Sequence, residues 1–380
     1  MSAMAAQSFS TTLGTPDALA RALAAARASV SAPAGGLIFV SGALTQEVPR
    51  VAELVRGVWR NVPVAVVPAA GVITERGELE GTTAAAGLLW SGGRATPYTT
   101  GEGTSPSALG AAVAAASGGR AGTVLVFPRS DFAAEMLEGL SAVAPGACVL
   151  GAGTVGASAV ALTASGELLR GRASGLVLHG LAAPLVEASP ACRLLSPLAP
   201  IEEVSNGMLL RVGDTPALDR LTAAMPELRG PAPGGAPTPQ PVVFVALADP
   251  EGERFVVRPV RGIDPTRRGV LVGPEARPGM RAAFAVRDAS AARAGLEATA
   301  RGVAQQASGS APRFALFVSC AGRGQGLYGA PDVEARILRQ RFGDLPIAGM
   351  HSAFEIVPWG PGQARLALYT GVLALFRSPS

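Results

Sequence analysis

The chain contains no lysine, so all 32 of its basic side chains are arginine. That excludes Schiff-base chemistry at a lysine amine and any phosphate loop of the lysine-bearing kind. Histidine is scarce too, with only His179 and His351. The three cysteines, Cys148, Cys192 and Cys320, are far apart and odd in number. No Cys-x-x-Cys or His-x-x-x-His spacing occurs. A disulfide framework and a zinc site are therefore not expected, and a reducing compartment is. No metal and no cofactor is expected. Aromatics make up 5% of the chain and the arginines are scattered, unlike the basic, aromatic-laced footprint of nucleic-acid binding. The net charge of +4 then reads as a solubilising surface. The early apolar run is interrupted by Asp17, Arg21 and Arg27, which does not fit a signal peptide. The charge-free span between Glu138 and Glu167 has the length of a membrane span, but Pro145 and many glycines break it, and it reads as buried strand and loop. With 48 Gly and 31 Pro beside the missing lysine, the expectation is a bacterial, cytoplasmic protein without a membrane span.

What is present is a long chain of 380 residues, 48% hydrophobic, enough for two domains or lobes. Met1 to Leu13 reads as a frayed tail, and Thr15-Pro16-Asp17 opens a helix running to Val30. A strand–helix–strand block then recurs three times. Its strands are Leu37 to Ser41 with Val62 to Pro68, Val124 to Phe127 with Cys148 to Gly153, and Phe314 to Ser319 with Leu345 to Ile356. Each block is followed by a hairpin, clearest at Gly360-Pro-Gly362 between Glu355 to Val357 and Arg365 to Phe376. Parallel strands joined through a helix, with added antiparallel strands, give an α/β fold. The expected architecture is mixed sheets of repeated βαβ-plus-hairpin units in two lobes. Pro216 to Met225 and Ser290 to Gln306 read as helices, with a meander of strands from Val242 to Val286 between them. The Pro/Gly-rich stretch 230–241 reads as a linker dividing a domain at 16–229 from one at 242–377.

Two glycine motifs compete for attention. Gly151-Ala-Gly153-Thr-Val-Gly156 matches a dinucleotide fingerprint in spacing, but a hairpin-like stretch follows where a helix is required, and a close-packed turn is the better reading. Ser319-Cys-Ala-Gly-Arg-Gly-Gln-Gly-Leu-Tyr-Gly329 lies between a strand and a helix. Gly322, Gly324 and Gly326 let backbone approach a ligand there. Arg323 offers a guanidinium fork for a carboxylate or phosphate, or else pairs with Glu355 or Asp332 to fix the loop. Cys320 stands at a strand end before a helix, where a thiol is a candidate nucleophile and His351 a candidate base, or it is a small thiol lining a pocket. Arg287-Asp288 offers a further charged pair, or a turn in which Asp288 caps a helix.

Taken together, Ser319-Cys-Ala-Gly-Arg-Gly324, Leu327 to Asp332, Leu345 to Gly349, Glu355-Ile356, Tyr369-Thr370 and Leu373 to Phe376 resemble the C-terminal domain of the FIST family. Pro68 to Ile73, Arg76-Gly-Glu78, Ala191-Cys-Arg193 and Gly213 to Leu218 resemble its N-terminal domain. The resemblance covers 16–377. It departs from the family pattern at Phe354, where a glycine is usual, and at Leu194-Leu195-Ser196. The resemblance implies an intracellular sensory module of signal transduction, proposed to bind small ligands such as amino acids, with a signalling partner protein. On that reading the binding residues are Ser319, Cys320, Gly322, Arg323, Gly324 and Glu355, with Arg287, Asp288, Cys192 and Arg193 in second rank. Arg323 holds a ligand carboxylate and Glu355 an ammonium, and no residue is assigned a catalytic role. A hydrolase or transferase using Cys320, and a ligand-free interaction scaffold, are the alternatives.

Overall fold

A computed structural model describes residues 5–13, 17–101, 105–120, 122–132, 134–228 and 242–378. Thr15 and Pro16, expected to open the first helix, and the expected linker at 230–241 lie outside the described residues. Two compact units emerge, one from Met1–Ser189 and Arg293–Ser380, the other from Pro190–Ala292.

The first unit is one eight-part pattern used three times. The first copy runs β1 (Ala6–Thr12), α1 (Ala18–Ser29), β2 (Pro33–Val40), α2 (Val48–Val58), β3 (Val64–Pro68), the hairpin β4 (Gly71–Thr74) and β5 (Gly77–Glu80), then β6 (Ala84–Ser91). The second runs β7 (Arg94–Thr99), α3 (Pro106–Ser117), β8 (Thr123–Pro128), α4 (Glu138–Val143), β9 (Cys148–Ala152), the pair β10 (Val160–Leu162) and β11 (Leu168–Arg170), then β12 (Ala173–His179). The third opens with β13 (Leu185–Pro190) and is then interrupted by the second unit.

That inserted unit holds β14 (Cys192–Leu194), β15 (Ala199–Ser205), β16 (Met208–Val212), β17 (Thr215–Pro216), α5 (Ala217–Ala224), β18 (Val243–Ala248), β19 (Phe255–Pro259), β20 (Gly262–Asp264), β21 (Gly269–Leu271) and β22 (Arg281–Arg287). All nine strands form one sheet, with β22 paired to β14, β15 and β18. The stretch from Val242 to Val286 is therefore not a simple meander, because strands from before α5 sit between its members.

The third copy resumes with α6 (Ala289–Gln306), β23 (Pro312–Cys320), the short α7 (Gln325–Tyr328), α8 (Val333–Phe342), β24 (Ile347–Ser352), the hairpin β25 (Glu355–Gly360) and β26 (Gln363–Ala367), and β27 (Thr370–Arg377). The three expected crossovers are present: β2 with β3, β8 with β9 and β23 with β24 are parallel pairs.

Each hairpin leaves its own sheet. The pair β10–β11 joins β3 of the first copy, β25–β26 joins β9 of the second, and β4–β5 joins β24 of the third. Three six-stranded sheets result, each completed by a hairpin from the copy that follows it, with the first copy following the third.

Two expectations need correction here. Met1 to Leu13 is not all frayed tail, since β1 is a sheet edge paired with β6 over seven residues; its alternating small polar residues hid the strand. Arg365 to Phe376 is two strands in two sheets, because Tyr369 takes a positive φ of 54° and redirects the chain.

Local packing explains why these segments fold so. In α2, Val48, Val51, Ala52 and Val55 are buried on one face, the spacing of an amphipathic helix. They meet Ile38, Val40, Val64 and Val66 of the sheet, with Trp59 closing the end and donating its indole N–H to the Leu23 carbonyl at 2.8 Å. Each such aliphatic side chain contributes roughly 1.5–3 kcal/mol when fully buried. Phe354 joins the core of the second copy and stacks on Phe132 at 6.3 Å. The fingerprint at Gly151 is likewise a packing feature: a Cβ there would lie 1.8 Å from the Val126 carbonyl oxygen, and β10 rather than a helix follows.

No helix among the described residues is long and apolar enough to cross a membrane.

Candidate functional site

Strands β23 and β24 run parallel and end together, with Ser319 beside His351 and Cys320 beside Ser352. The carboxyl ends of parallel strands are where open α/β sheets place their ligands. In this copy that edge carries a dense set of buried polar groups.

Arg323 is fully buried, as is Glu334 in the first turn of α8. The guanidinium Nε donates to Glu334 Oε1 at 2.7 Å, Nη1 to the Ser189 carbonyl at 2.6 Å, and Nη2 to the Tyr328 hydroxyl at 3.1 Å. The Tyr328 hydroxyl in turn donates a hydrogen bond to Glu334 Oε1 at 2.9 Å, and Ser319 Oγ donates to Oε2 at 2.6 Å. Burial pushes the Glu334 carboxyl up, but Arg323 and the Ser319 hydroxyl outweigh it and hold the group below the usual carboxylate range. Glu334 is thus an anion with both oxygens occupied. The expected partners of Arg323 were Glu355 and Asp332; the pairing residue is Glu334. Asp332, at a positive φ of 58°, instead accepts from the Glu78 N–H at 2.6 Å.

Glu355 behaves in the opposite way. Burial raises it to about 8, against the lowering effect of the Ser352 hydroxyl and the Thr370 N–H. Ser352 Oγ lies 2.8 Å from Glu355 Oε1 and 3.1 Å from the Ser319 carbonyl. A hydroxyl has one proton. It can go to the Glu355 carboxyl or to the Ser319 carbonyl, one at a time. Burial thus outweighs those bonds and favours the protonated carboxyl.

Cys320 shares this neutral side. Burial, and next the Glu355 carboxylate, push its thiol up to about 12, the reverse of what a nucleophilic cysteine needs. Its strand neighbour Ser319 is the residue beside His351, and successive side chains of a strand point to opposite faces. Cys320 and His351 thus lie on different faces of the sheet, which corrects the idea of a thiol–imidazole pair.

Over the cluster runs the glycine turn. Gly322 is half-buried, Gly324 buried and Gly326 exposed. A Cβ on Gly324 would fall 2.0 Å from a carboxylate oxygen of Glu80, so a side chain there would displace that carboxylate, and the next N–H, that of Gln325, donates to Glu80 Oε1 at 2.9 Å.

The second-rank residues lie in the inserted unit and form a group of their own. Arg193 Nε is 3.4 Å from Asp288 Oδ2. Asp288 Oδ1 also accepts the Ala291 N–H at 2.8 Å and so caps the start of α6. Arg287 is the cross-strand neighbour of buried Cys192.

Glu334, Tyr328 and Glu80 were not singled out by the sequence, and Glu78 only as part of a motif. Glu334 reads as an ordinary first-turn acid, of the kind helix dipoles favour anywhere. The one available signal was Glu78-Leu79-Glu80, two acids on the same face of a short strand beside an apolar residue.

The model of the FIST N domain matches residues 35–214 and that of the FIST C domain matches 217–358. The chain belongs to the FIST family, whose domains are associated with sensory and signal-transduction roles. Among curated proteins it is similar to an uncharacterized protein of Mycobacterium tuberculosis, 34% identical over 135 residues that make up 36% of this chain and 35% of that protein. It is also similar to an uncharacterized protein of Mycobacterium bovis, 35% identical over 137 residues, 36% of this chain and 34% of that one. The matches thus span about a third of the relatives' length.

Proposed function

We propose that this FIST-family chain is a sensory module that binds a small polar ligand, an amino acid or small carboxylate, at the β23–β24 edge and reports its occupancy to a partner protein. One observation carries the reading: among the described residues, a fully buried cluster of an arginine and two carboxylates stands at a single one of three equivalent strand–helix junctions. Burying charges costs several kcal/mol per ion before pairing, and clusters of perturbed carboxyls gather where proteins do chemistry or bind.

The roles follow from the two kinds of carboxyl. Arg323, its charge offset and its fork fixed by Glu334, offers its remaining guanidinium N–H groups to a ligand carboxylate at the turn formed by Gly322 and Gly324. Glu355, holding its proton, releases it when a ligand ammonium arrives. Ser319 holds Glu334 on one face of β23, and Cys320 stands on the other face, near Glu355.

The test is a thermal-shift screen of the full chain against amino acids and simple organic acids. A ligand at about 100 times its dissociation constant adds roughly 2.7 kcal/mol of stability. Glu355→Gln is expected to lose the amino-acid responses and keep those of simple carboxylates. A panel in which neither class moves the Tm overturns the proposal.

A further inference from the structure

We propose that Glu78, Glu80 and His351 form a binding site for one divalent transition-metal ion. This goes beyond the ligand reading above and does not depend on it.

The three residues are brought together by strand register. On β5, Glu78 and Glu80 are two apart and share one face. On β24, His351 stands opposite Gly71 of β4, and Gly71 stands opposite Glu80. The row His351–Gly71–Glu80 crosses three strands, with a glycine in the middle. A Cβ at Gly71 would sit 2.9 Å from His351 Cδ2 and 3.3 Å from Glu80 Cγ. Its absence lets imidazole and carboxylate close over the gap. One ligand atom from each of the three residues lies within 4.8 Å of the others.

Glu78 is also oriented as a metal ligand is, by bonds to its outer oxygen, while the Glu80 oxygen nearest His351, Oε1, itself accepts the Gln325 N–H. Glu78 Oε1 accepts the N–H groups of Glu334 and Ala335 at 2.8 and 3.0 Å, which leaves Oε2 turned toward the imidazole. Glu80 is held by Gln325 N–H, as described. The second observation is His351 itself. It is 1% exposed, and neither ring nitrogen has a hydrogen-bond partner among the described residues. Its Nε2 lies 3.3 Å from Glu78 Oε2 and 3.9 Å from Glu80 Oε1, without the alignment of a hydrogen bond. A buried imidazole aimed between two carboxylate oxygens, within ion-pair distance of both when protonated but aligned for a hydrogen bond with neither, is a donor set in which a metal ion can take the proton's place.

The chemistry of the set narrows the ion. Imidazole suits Zn²⁺, Ni²⁺, Cu²⁺ and Fe²⁺, while oxygen-only sites suit Mg²⁺ and Ca²⁺. Ligand distances near 2.1 Å place neighbouring donors about 3–3.5 Å apart. The Glu78–His351 separation meets this already, and Glu80, whose side chain is 27% exposed, has room to close the rest. Three protein ligands leave positions open for water or a small oxygen-bearing molecule.

The full-length chain, stripped with a chelator, should be titrated with Zn²⁺, Co²⁺, Mn²⁺ and Mg²⁺, following heat, Tm and the visible absorption of Co²⁺. One transition ion per chain is expected, with a raised Tm and no response to Mg²⁺. Glu80→Gln keeps an oxygen for the Gln325 N–H, so it tests the ion without removing that bond. It should weaken binding by at least about tenfold, and His351→Gln should abolish the Co²⁺ spectrum. A wild type that binds no ion stoichiometrically overturns the proposal, as does undiminished binding by a folded Glu80→Gln. If amino acids shift the Tm of the stripped chain but metals do not, this proposal falls while the ligand reading stands.

Discussion

The junctions after β2 and after β23 occupy the same place in two copies of one pattern, and both begin with Phe-Val-Ser. After β2, Ser41 is buried and donates to the Thr82 carbonyl at 2.9 Å, and the helix that follows presents only Val48, Val51, Ala52 and Val55 to the interior. After β23, Ser319 donates to a carboxylate, and the following helix buries Glu334 among Val333, Ala335, Ile337 and Leu338. The second copy offers a third version: Arg129 pairs with Asp131 in solvent. The fold is thus satisfied by apolar packing and one hydroxyl. Charges at the third junction are additional to what the backbone requires, which is why they are read as functional.

The largest effect is expected from breaking the buried pair. Glu334→Gln leaves the Arg323 guanidinium without its counter-charge and should cost about 3–5 kcal/mol in urea unfolding. A loss below about 1 kcal/mol would mean the third junction tolerates neutral chemistry as the first does.

The next effect, a pH-dependent one, belongs to Glu355. Its folded value near 8 stands above the ordinary 4.5, so the native state keeps a proton that the unfolded chain releases. The contribution is complete below about pH 4.5 and is lost as pH rises toward 8, by at most about 1.4 kcal/mol per unit. Glu355→Gln removes this term, so its stability relative to the parent should climb across that window and level off above it. Parallel stability curves for the two proteins would show that Glu355 titrates normally.

The smallest effect is expected in the second copy. Arg129→Ala disrupts an exposed pair, with side chains 43% and 49% exposed, and should change stability by less than about 1 kcal/mol. A larger loss would put the second junction beside the third.

How far the sequence discloses all this depends on distance along the chain. The three crossovers are legible because apolar runs and helical spacing are local patterns. Arg323 is legible because a guanidinium among glycines has little near it to pack on. Its partner is not, since Glu334, Asp332 and Glu355 are equally plausible acids until α8 is placed on the sheet. The bond from Glu334 N–H to Glu78 spans 256 residues, and no periodicity reports such a contact. Phe354 teaches the same lesson: in sequence it is only a departure from the family pattern beside Glu355, whereas the exchanged hairpin carries it into the core of the second copy.

The exchange of hairpins also limits how this protein can be taken apart. The FIST C match begins at residue 217, yet β24 needs β4 beside it, and Glu78 and Glu80 arrive on β5. A fragment cut between the two family matches would leave β24 with an unpaired edge, a surface that recruits other strands. It would also leave His351 without either carboxylate. Ligand or metal measurements on such a half would report on a different object, so the smallest piece that can be assayed is one that retains all three copies.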